Sequence, residues 1–421
     1  MLLRGFLVNM EGEMTFQISP TSYIDVEFVQ KAVENGEDDS TKIVKISDVN
    51  SRIFNDKCST DTCHVTATLA NGEQHSVVVK CLSRAGLKSK GLERFHKEIK
   101  MLTETLPSME MLLQLTCPEE FRPLGPKCYS YYHGSESPPF VVLENLRQKG
   151  YSNAKPKFIL EFSHCRIALK ALARFHAASI AFLQQNPEEL EYYCKYDLAD
   201  NFRGVFEDFI TGGVECLADE VIKWPGFEGY SEKLLELKNV MCDRLRETVR
   251  LKEGSLNCLI HADPTASSLM FRVSENVVTD VRLSNFQSVI FGSPVIDVLH
   301  YLYAYSNDRI NLFGTKTLIN EYHSTLHRTL HVLGYSDLSP SLEEFQQILS
   351  QYKFYAFYLS TSVLPFLVYD PNEEIEGDDI ENTNRSLRIN PRVYKGNIYK
   401  SIMECLLPEY ELQGIFRIGN S

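Results

Sequence analysis

The pattern of apolar and polar positions changes character along the chain. His64-Val65-Thr66-Ala67-Thr68-Leu69 alternates as a half-buried strand does, Asn71-Gly72 supplies positive φ angles, and Ser76-Val77-Val78-Val79-Lys80 runs back, which predicts a tight hairpin. Lys42 to Ile46 predicts a strand ahead of it. Leu92 to Leu106 places Phe95, Ile99 and Leu102 on one stripe, the mark of an amphipathic helix. Pro138-Pro139 then leads into a buried strand, Phe140-Val141-Val142-Leu143, ending in Glu144-Asn145-Leu146. Further upstream, residues 16–34 read as partly helical and residues 35–40 as a solvated turn.

From Phe162 the spacing becomes helical. Ile167, Leu169, Leu172, Phe175 and His176 predict a helix ending near Ala178, and further helices are expected over 231–250, 322–333 and 397–407. One segment interrupts them. An apolar strand ends in His261-Ala262-Asp263, Leu269-Met270-Phe271 follows, and a hairpin returns to Leu283-Ser284-Asn285-Phe286-Gln287. Gly292-Ser293-Pro294 then precedes a helix opening at Asp297 and running through Val298, Leu299, Tyr301 and Leu302. Strands with one helix, then a helical body, predict an α+β chain: a mainly β lobe over 1–146 and a mainly α lobe over 147–421, with segment 259–300 inside the latter.

Composition narrows the class. Of 421 residues, 43% are hydrophobic, enough for a substantial core. The net charge of −13 argues against a nucleic-acid partner. No apolar run reaches the ~18 residues of a membrane span. The first residues, Met1 to Val8, are briefly apolar but run into Glu11 and Glu13, so no signal peptide is expected. Eleven scattered cysteines then read as reduced thiols of a cytoplasmic protein. Cys58 and Cys63 have no second pair at metal spacing and read as ordinary thiols.

Several positions carry candidate chemistry. Lys80 closes the returning strand, and Glu98 lies beside the apolar stripe of the next helix. A strand lysine paired with a helix glutamate is a device for positioning phosphates, whereas a lysine at a strand end by itself more often only reaches water. Glu144 to Leu146 suit a turn whose backbone could bond an adenine, although an ordinary core strand gives the same sequence. His323, His327 and His331 fall on one helix face, where they read as metal ligands or as three unrelated imidazoles; no carboxylate is arranged among them. Residues 370–381 hold seven acidic side chains among twelve and read as a solvated loop, with a basic partner as the alternative.

In order and spacing these pieces resemble the ecdysteroid-kinase-like (CHK kinase-like) family, relatives of choline and aminoglycoside kinases. The likeness runs from about residue 45 to 415. It is carried by Val78-Val79-Lys80, Phe95-His96-Lys97-Glu98, Val142-Leu143-Glu144-Asn145-Leu146, Leu172-Ala173-Arg174-Phe175-His176-Ala177, His261-Ala262-Asp263, Phe286-Gln287 and Gly292-Ser293-Pro294 with Ile296-Asp297. The resemblance implies a bilobal protein-kinase-like fold and ATP- and magnesium-dependent transfer of phosphate to a hydroxyl of a small molecule, steroid-like in the namesake members. It makes Asp263 the catalytic base within the triplet opened by His261. Lys80 and Glu98 would serve the phosphates, and Glu144 and Leu146 the adenine. Asp297 would either brace the loop around His261 or only cap its own helix.

The chain departs from the family pattern of His-Gly-Asp, an Asn five residues on, and Asp-Phe-Gln. Ala262 replaces the glycine, Ser268 the Asn and Asn285 the metal-binding Asp. Magnesium favours charged oxygen ligands, so a hydroxyl and a neutral amide should weaken the metal site. Asp280 lies five residues before Asn285, an odd offset that should turn it to the opposite side of its strand. The segment 54–63 that precedes the hairpin has no glycine to let backbone approach a phosphate. Two readings therefore stand: a small-molecule kinase with an altered metal site, and a pseudokinase that binds a ligand or regulates a partner.

Overall fold

The computed structural model describes residues 43–52, 60–69, 72, 74–82, 91–133, 139–154, 160–252, 254–305, 312–370 and 389–418. The expectations for 16–34 and 35–40, Cys58, most of the 54–63 segment and the acidic stretch beyond Asp370 lie outside these residues. In chain order the strands are β1 (Ile43–Arg52), β2 (Thr60–Leu69), β3 (Gln74–Leu82), β4 (Cys128–Tyr132), β5 (Phe140–Glu144), β6 (Tyr151–Ser152), β7 (Cys258–Ile260), β8 (Leu269–Ser274), β9 (Val277–Leu283) and β10 (Ile290–Gly292). The helices used below are α1 (Gly91–Lys100), α2 (Leu106–Thr116), α3 (Phe162–Gln185), α4 (Val205–Val221), α5 (Gly229–Lys238), α6 (Met241–Val249), α7 (Val295–His300), α8 (Leu312–Val332), α9 (Leu342–Gln351), α10 (Lys353–Tyr358), α11 (Leu364–Val368) and α12 (Asn397–Leu412).

The chain divides into two compact units. One holds Met1–Asn153 with Ser268–Val289, and the other Ala154–Ser267 with Ile290–Ser421. The first is mainly β and the second, larger one mainly α, an α+β architecture. This division differs from a boundary at 146 in two respects: residues 147–153 and the hairpin β8–β9 belong with the first unit. Tyr151 of β6 pairs with Arg272 of β8, and the Leu283 N–H donates to the Leu124 carbonyl at 2.8 Å.

In the first unit, an antiparallel sheet runs in the order β1-β2-β3-β5-β4. One face of β2 and β3 presents Cys63, Val65, Val77, Val79 and Cys81, which pack with Phe140 and Val142. Alternation therefore turns Ser76, Val78 and Lys80 to the other face. There α1 contacts β3 with Phe95, Glu98 and Ile99 buried. The helix expected to stop at Leu106 continues as α2 to Thr116, because a π turn over Met101–Thr105 joins the two rather than ending them. At the tip of β8–β9, Glu275 and Asn276 have φ of 51° and 63°, the two consecutive left-handed residues of a tight hairpin.

In the second unit, α3 is longer than its apolar stripe suggested, reaching Gln185, and packs along α8. The single helix expected over 231–250 is two, α5 and α6, parted at Asn239–Val240 with no glycine or proline to announce the break. The short pair β7–β10 sets Cys258, Leu259 and Ile260 opposite Gly292, Phe291 and Ile290. A π turn over Leu359–Val363 joins α10 to α11. Tyrosines meet its backbone and that of the turn before it: Tyr399 donates to the Ser360 carbonyl, Tyr394 to that of Thr361 and Tyr410 to that of Ala356 in α10. Among the described residues, no helix is long and apolar enough to cross a membrane.

Candidate functional site

The first unit gathers four of the sequence candidates or their neighbours. Lys80 projects from β3 and is buried, with 7% of its surface exposed. Its Nζ lies 2.8 Å from both carboxylate oxygens of Glu98 and 3.1 Å from Oδ1 of Asn285. Glu98, 1% exposed, also accepts at 2.9 Å from Nε2 of Gln287. Both oxygens of this buried carboxylate are thus engaged, as a buried ion pair requires. Lys80 and Glu98 balance in charge, and Asn285 adds none.

Asn285 sits where β9 gives way to a short turn, at φ 62°. Asparagine tolerates the left-handed region better than most residues, and aspartate shares that tolerance. The backbone conformation is therefore compatible with either side chain. The amide oxygen receives a hydrogen from an ammonium group, an arrangement that competes with a metal ion for the same lone pairs. Ser268 is 1% exposed and adjoins the same turn: its carbonyl accepts from the N–H and the hydroxyl of Ser284 at 2.9 and 3.2 Å. An amide that already serves Lys80 and a hydroxyl are a poor pair of donors for magnesium. Asp280 is turned to its own partners. It accepts from the Tyr151 hydroxyl at 2.6 Å and lies 3.7 Å from Arg282.

Glu144 closes β5. Its N–H donates to the Lys127 carbonyl at 2.8 Å, its carboxylate accepts from the Lys127 N–H at 3.1 Å, and Lys149 pairs with it. Asn145 caps the short 3-10 turn 146–149 by accepting from the Arg147 N–H, and donates at 2.7 Å to the Ser76 hydroxyl. Leu146, at the start of that turn, is buried.

The second unit holds His261, Asp263 and Asp297. β7 ends at Ile260, and the chain turns through Ala262 at φ 59°, a left-handed conformation that is strained for a residue with a Cβ. Two fully buried acceptors hold that turn. Asp297 Oδ2 lies 2.7 Å from the His261 N–H and Asp297 Oδ1 2.9 Å from the Ala262 N–H. Asp297 makes no cap bond to its own helix, α7. Of its two sequence readings, the geometry supports the brace. Burial by itself would raise the Asp297 pKa, but its bonds and charge contacts with His176 and His261 hold it below the usual carboxylate range. Asp263 is partly exposed just beyond the turn. Its carbonyl accepts from the Thr265 N–H at 2.8 Å, and the Tyr301 hydroxyl steadies the next residue by donating to the Pro264 carbonyl at 2.8 Å.

Sequence reasoning missed two members of these clusters, Gln287 as a partner of Glu98 and His176 as a partner of Asp297. Both had been noted only as parts of motifs. The pairs are separated by 189 and 121 residues, and no local pattern reports such a contact. The histidine row of α8 also has a different role from either sequence reading. His323 Nε2 lies 2.8 Å from the Pro340 carbonyl, His327 Nδ1 3.1 Å from the Ser339 hydroxyl and His331 Nδ1 2.9 Å from the Ser336 hydroxyl. The three rings fasten one turn ahead of α9. Among the described residues, no group of three His, Cys, Asp or Glu is placed to hold a metal ion.

Among curated proteins nothing matches the chain. Among solved structures, it is similar to a putative aminoglycoside phosphotransferase from Ralstonia eutropha, at 12% identity over 79% of this chain and 96% of that one, with a TM-score of 0.40. It is also similar to a thermostable mutant aminoglycoside phosphotransferase in ternary complex with ADP and hygromycin B, at 12% identity over 78% and 98%, with a TM-score of 0.33. A macrolide 2′-phosphotransferase type I gives 11% identity over 83% and 99%, with a TM-score of 0.32. The ecdysteroid kinase-like family matches residues 59–335, about two thirds of the sequence, and the chain belongs to that family.

Proposed function

We propose that this protein is a kinase-like small-molecule phosphotransferase whose nucleotide site works with little or no help from magnesium at position 285. In this reading Lys80, steered by Glu98, meets the phosphates of ATP, and the backbone at Glu144 and Leu146 meets the adenine. Asp263 accepts the proton of the acceptor hydroxyl as phosphate is transferred to it. His261 and Asp297 belong to the turn that presents Asp263. The acceptor is a small hydroxylated, steroid-like molecule. The observation that carries the proposal is the buried Lys80–Glu98 pair with both carboxylate oxygens at 2.8 Å, held from behind by Gln287.

A second reading, a pseudokinase that binds a ligand without transferring phosphate, is favoured by one observation: Asn285 Oδ1 takes a hydrogen from Lys80. An aspartate there would supply both metal affinity and a counter-charge for the transferring group, and an amide supplies neither.

Calorimetric titration of ATP, with and without magnesium, separates these outcomes. It is run on the wild type and on the double variant Ser268→Asn with Asn285→Asp. The proposal expects wild-type binding that magnesium changes by less than about tenfold, and binding by the double variant that magnesium strengthens by about tenfold or more, the equivalent of roughly 1.4 kcal/mol. Phosphate transfer by the wild type to a hydroxylated acceptor then supports the kinase reading, and binding with no transfer the pseudokinase. Absence of ATP binding in both proteins refutes the nucleotide site itself.

A further inference from the structure

We infer that His176 is a positioning residue, which acts through Asp297 to set the His261–Ala262 turn ahead of Asp263, with Tyr322 holding the other nitrogen of its ring. The inference rests on the phosphotransferase reading for its catalytic consequence, but its geometry stands independently of that reading.

His176 lies on α3 and is fully buried. Its Nε2 is 3.1 Å from Asp297 Oδ2, and its Nδ1 is 2.8 Å from the Tyr322 hydroxyl on α8. An ionised carboxylate can only accept, so Nε2 must carry a hydrogen. Burial holds the Tyr322 pKa well above that of an ordinary phenol, with lesser contributions from Cys258 and Asp297, so its hydroxyl keeps a proton to donate. The ring is thus held at both nitrogens, by Asp297 at Nε2 and by Tyr322 at Nδ1.

Asp297 Oδ2 is the shared atom. It accepts from the His176 ring and from the His261 N–H, while Oδ1 accepts from the Ala262 N–H. Ala262 is held at a φ that alanine does not favour, so this turn depends on its outside bonds more than a relaxed turn does. A rotation of the Asp297 carboxylate would release both amides together. The contact from His176 opposes that rotation, and the Tyr322 ring, stacked on Phe345 with centroids 5.2 Å apart, anchors the series in the α8–α9 packing.

The test compares His176→Leu, His176→Gln and Tyr322→Phe. Glutamine can still donate to Asp297, leucine cannot, and phenylalanine removes only the hydroxyl. Hydrogen exchange at the His261 and Ala262 amides is read by NMR on deuterated full-length protein, with the buried helical amides Ile402 and Met403 of α12 as controls. Phosphate transfer is measured in parallel. In His176→Leu, exchange at the two turn amides should rise about tenfold or more relative to the controls. In His176→Gln most of that rise should disappear, and Tyr322→Phe should give an intermediate rise. Where the wild type transfers phosphate, kcat should fall in the same order with KM for ATP unchanged. If exchange rises equally at the control amides, or glutamine protects no better than leucine, His176 is only part of the packing and the inference is wrong. A wild type with no transfer activity overturns the phosphotransferase reading, while the exchange comparison still decides this one. If His176→Leu does not fold, Tyr322→Phe carries the test: unchanged turn amides in that variant refute the inference.

Discussion

Replacing Asp297 by alanine removes the acceptor of three donors at once, the His261 N–H, the Ala262 N–H and His176 Nε2. The carboxylate is fully buried, so water cannot take its place. Leaving a buried donor unpaired costs about 1–3 kcal/mol. The three contacts share one side chain and do not add fully, so a total loss of about 3–5 kcal/mol is expected. A residue that merely capped α7 would cost about 1 kcal/mol. The chain has a single tryptophan, Trp224, buried in the second unit, so its fluorescence during denaturant unfolding reports on the unit that contains the change. Asp297→Asn should lose nearly as much, because one of its two terminal atoms becomes a donor facing a donor. The sign of the pH effect follows from the depressed pKa. Stability from Asp297 is present above its unfolded value of 3.8 and is lost as pH falls through the lower folded value, so Asp297→Ala should flatten the acid limb. A loss of about 1 kcal/mol or less, with the acid limb unchanged, would refute the brace and leave an ordinary buried polar residue.

Other changes test other parts of the chain. Ala262→Gly should stabilise by about 0.5–1 kcal/mol, since a left-handed φ costs a Cβ-bearing residue about 1–2 kcal/mol and glycine returns part of that as unfolded-chain freedom; a drop in the melting temperature would contradict the strained turn. His300, whose Nε2 lies 3.0 Å from the Tyr355 hydroxyl, has its pKa pushed down to about 4 by burial. Its neutral form stabilises the fold above pH 6.5, and that stability should be lost as pH falls from 6.5 towards 4, by about 3 kcal/mol at 1.36 kcal/mol per pH unit. In denaturant unfolding at successive pH values, His300→Phe should remove that slope; a slope that persists would assign it to other groups. Gly213→Ala would place a Cβ 2.6 Å from the Tyr394 hydroxyl and 3.3 Å from the Thr361 carbonyl. Overpacking and the disturbed Tyr394 bond outweigh the gain in helix propensity, for a net loss of about 1–3 kcal/mol in a thermal melt, and an unchanged melting temperature would show that the tyrosine moves aside freely.

What could be read from the sequence was local. The β2–β3 hairpin announced itself through strict alternation and Asn-Gly, and the Lys80–Glu98 pairing through a strand end followed by one apolar helix stripe. The features that escaped depend on tertiary neighbours. The break between α5 and α6 has no residue that breaks helices, and α3 continues past Ala178 because its flank is covered by α8. The α8 histidines could be placed on one face by counting, but not their partners, because residues 336–340 reach them only after the chain has folded back. Gln287 and His176 escaped for the same reason: each was visible in a motif, and neither could be given a partner until distant segments met.

The π turn at Leu359–Val363 has a consequence for how this sequence can change length. A π turn is one residue inserted into a helix, so it advances the rotational phase of everything downstream by roughly 100°. Here the residues that benefit are Leu364, Phe366, Leu367 and Val368, all buried. Removing any one residue between Ser360 and Val363 would restore a regular helix with good backbone bonds and a misdirected face, turning the apolar side chains of α11 away from their contacts and stranding the hydroxyls of Tyr394, Tyr399 and Tyr410. A single-residue deletion is a small event in a surface loop. In this helix it would be a change of phase, and the number of residues between Tyr358 and Leu364 is therefore constrained more tightly than their identity.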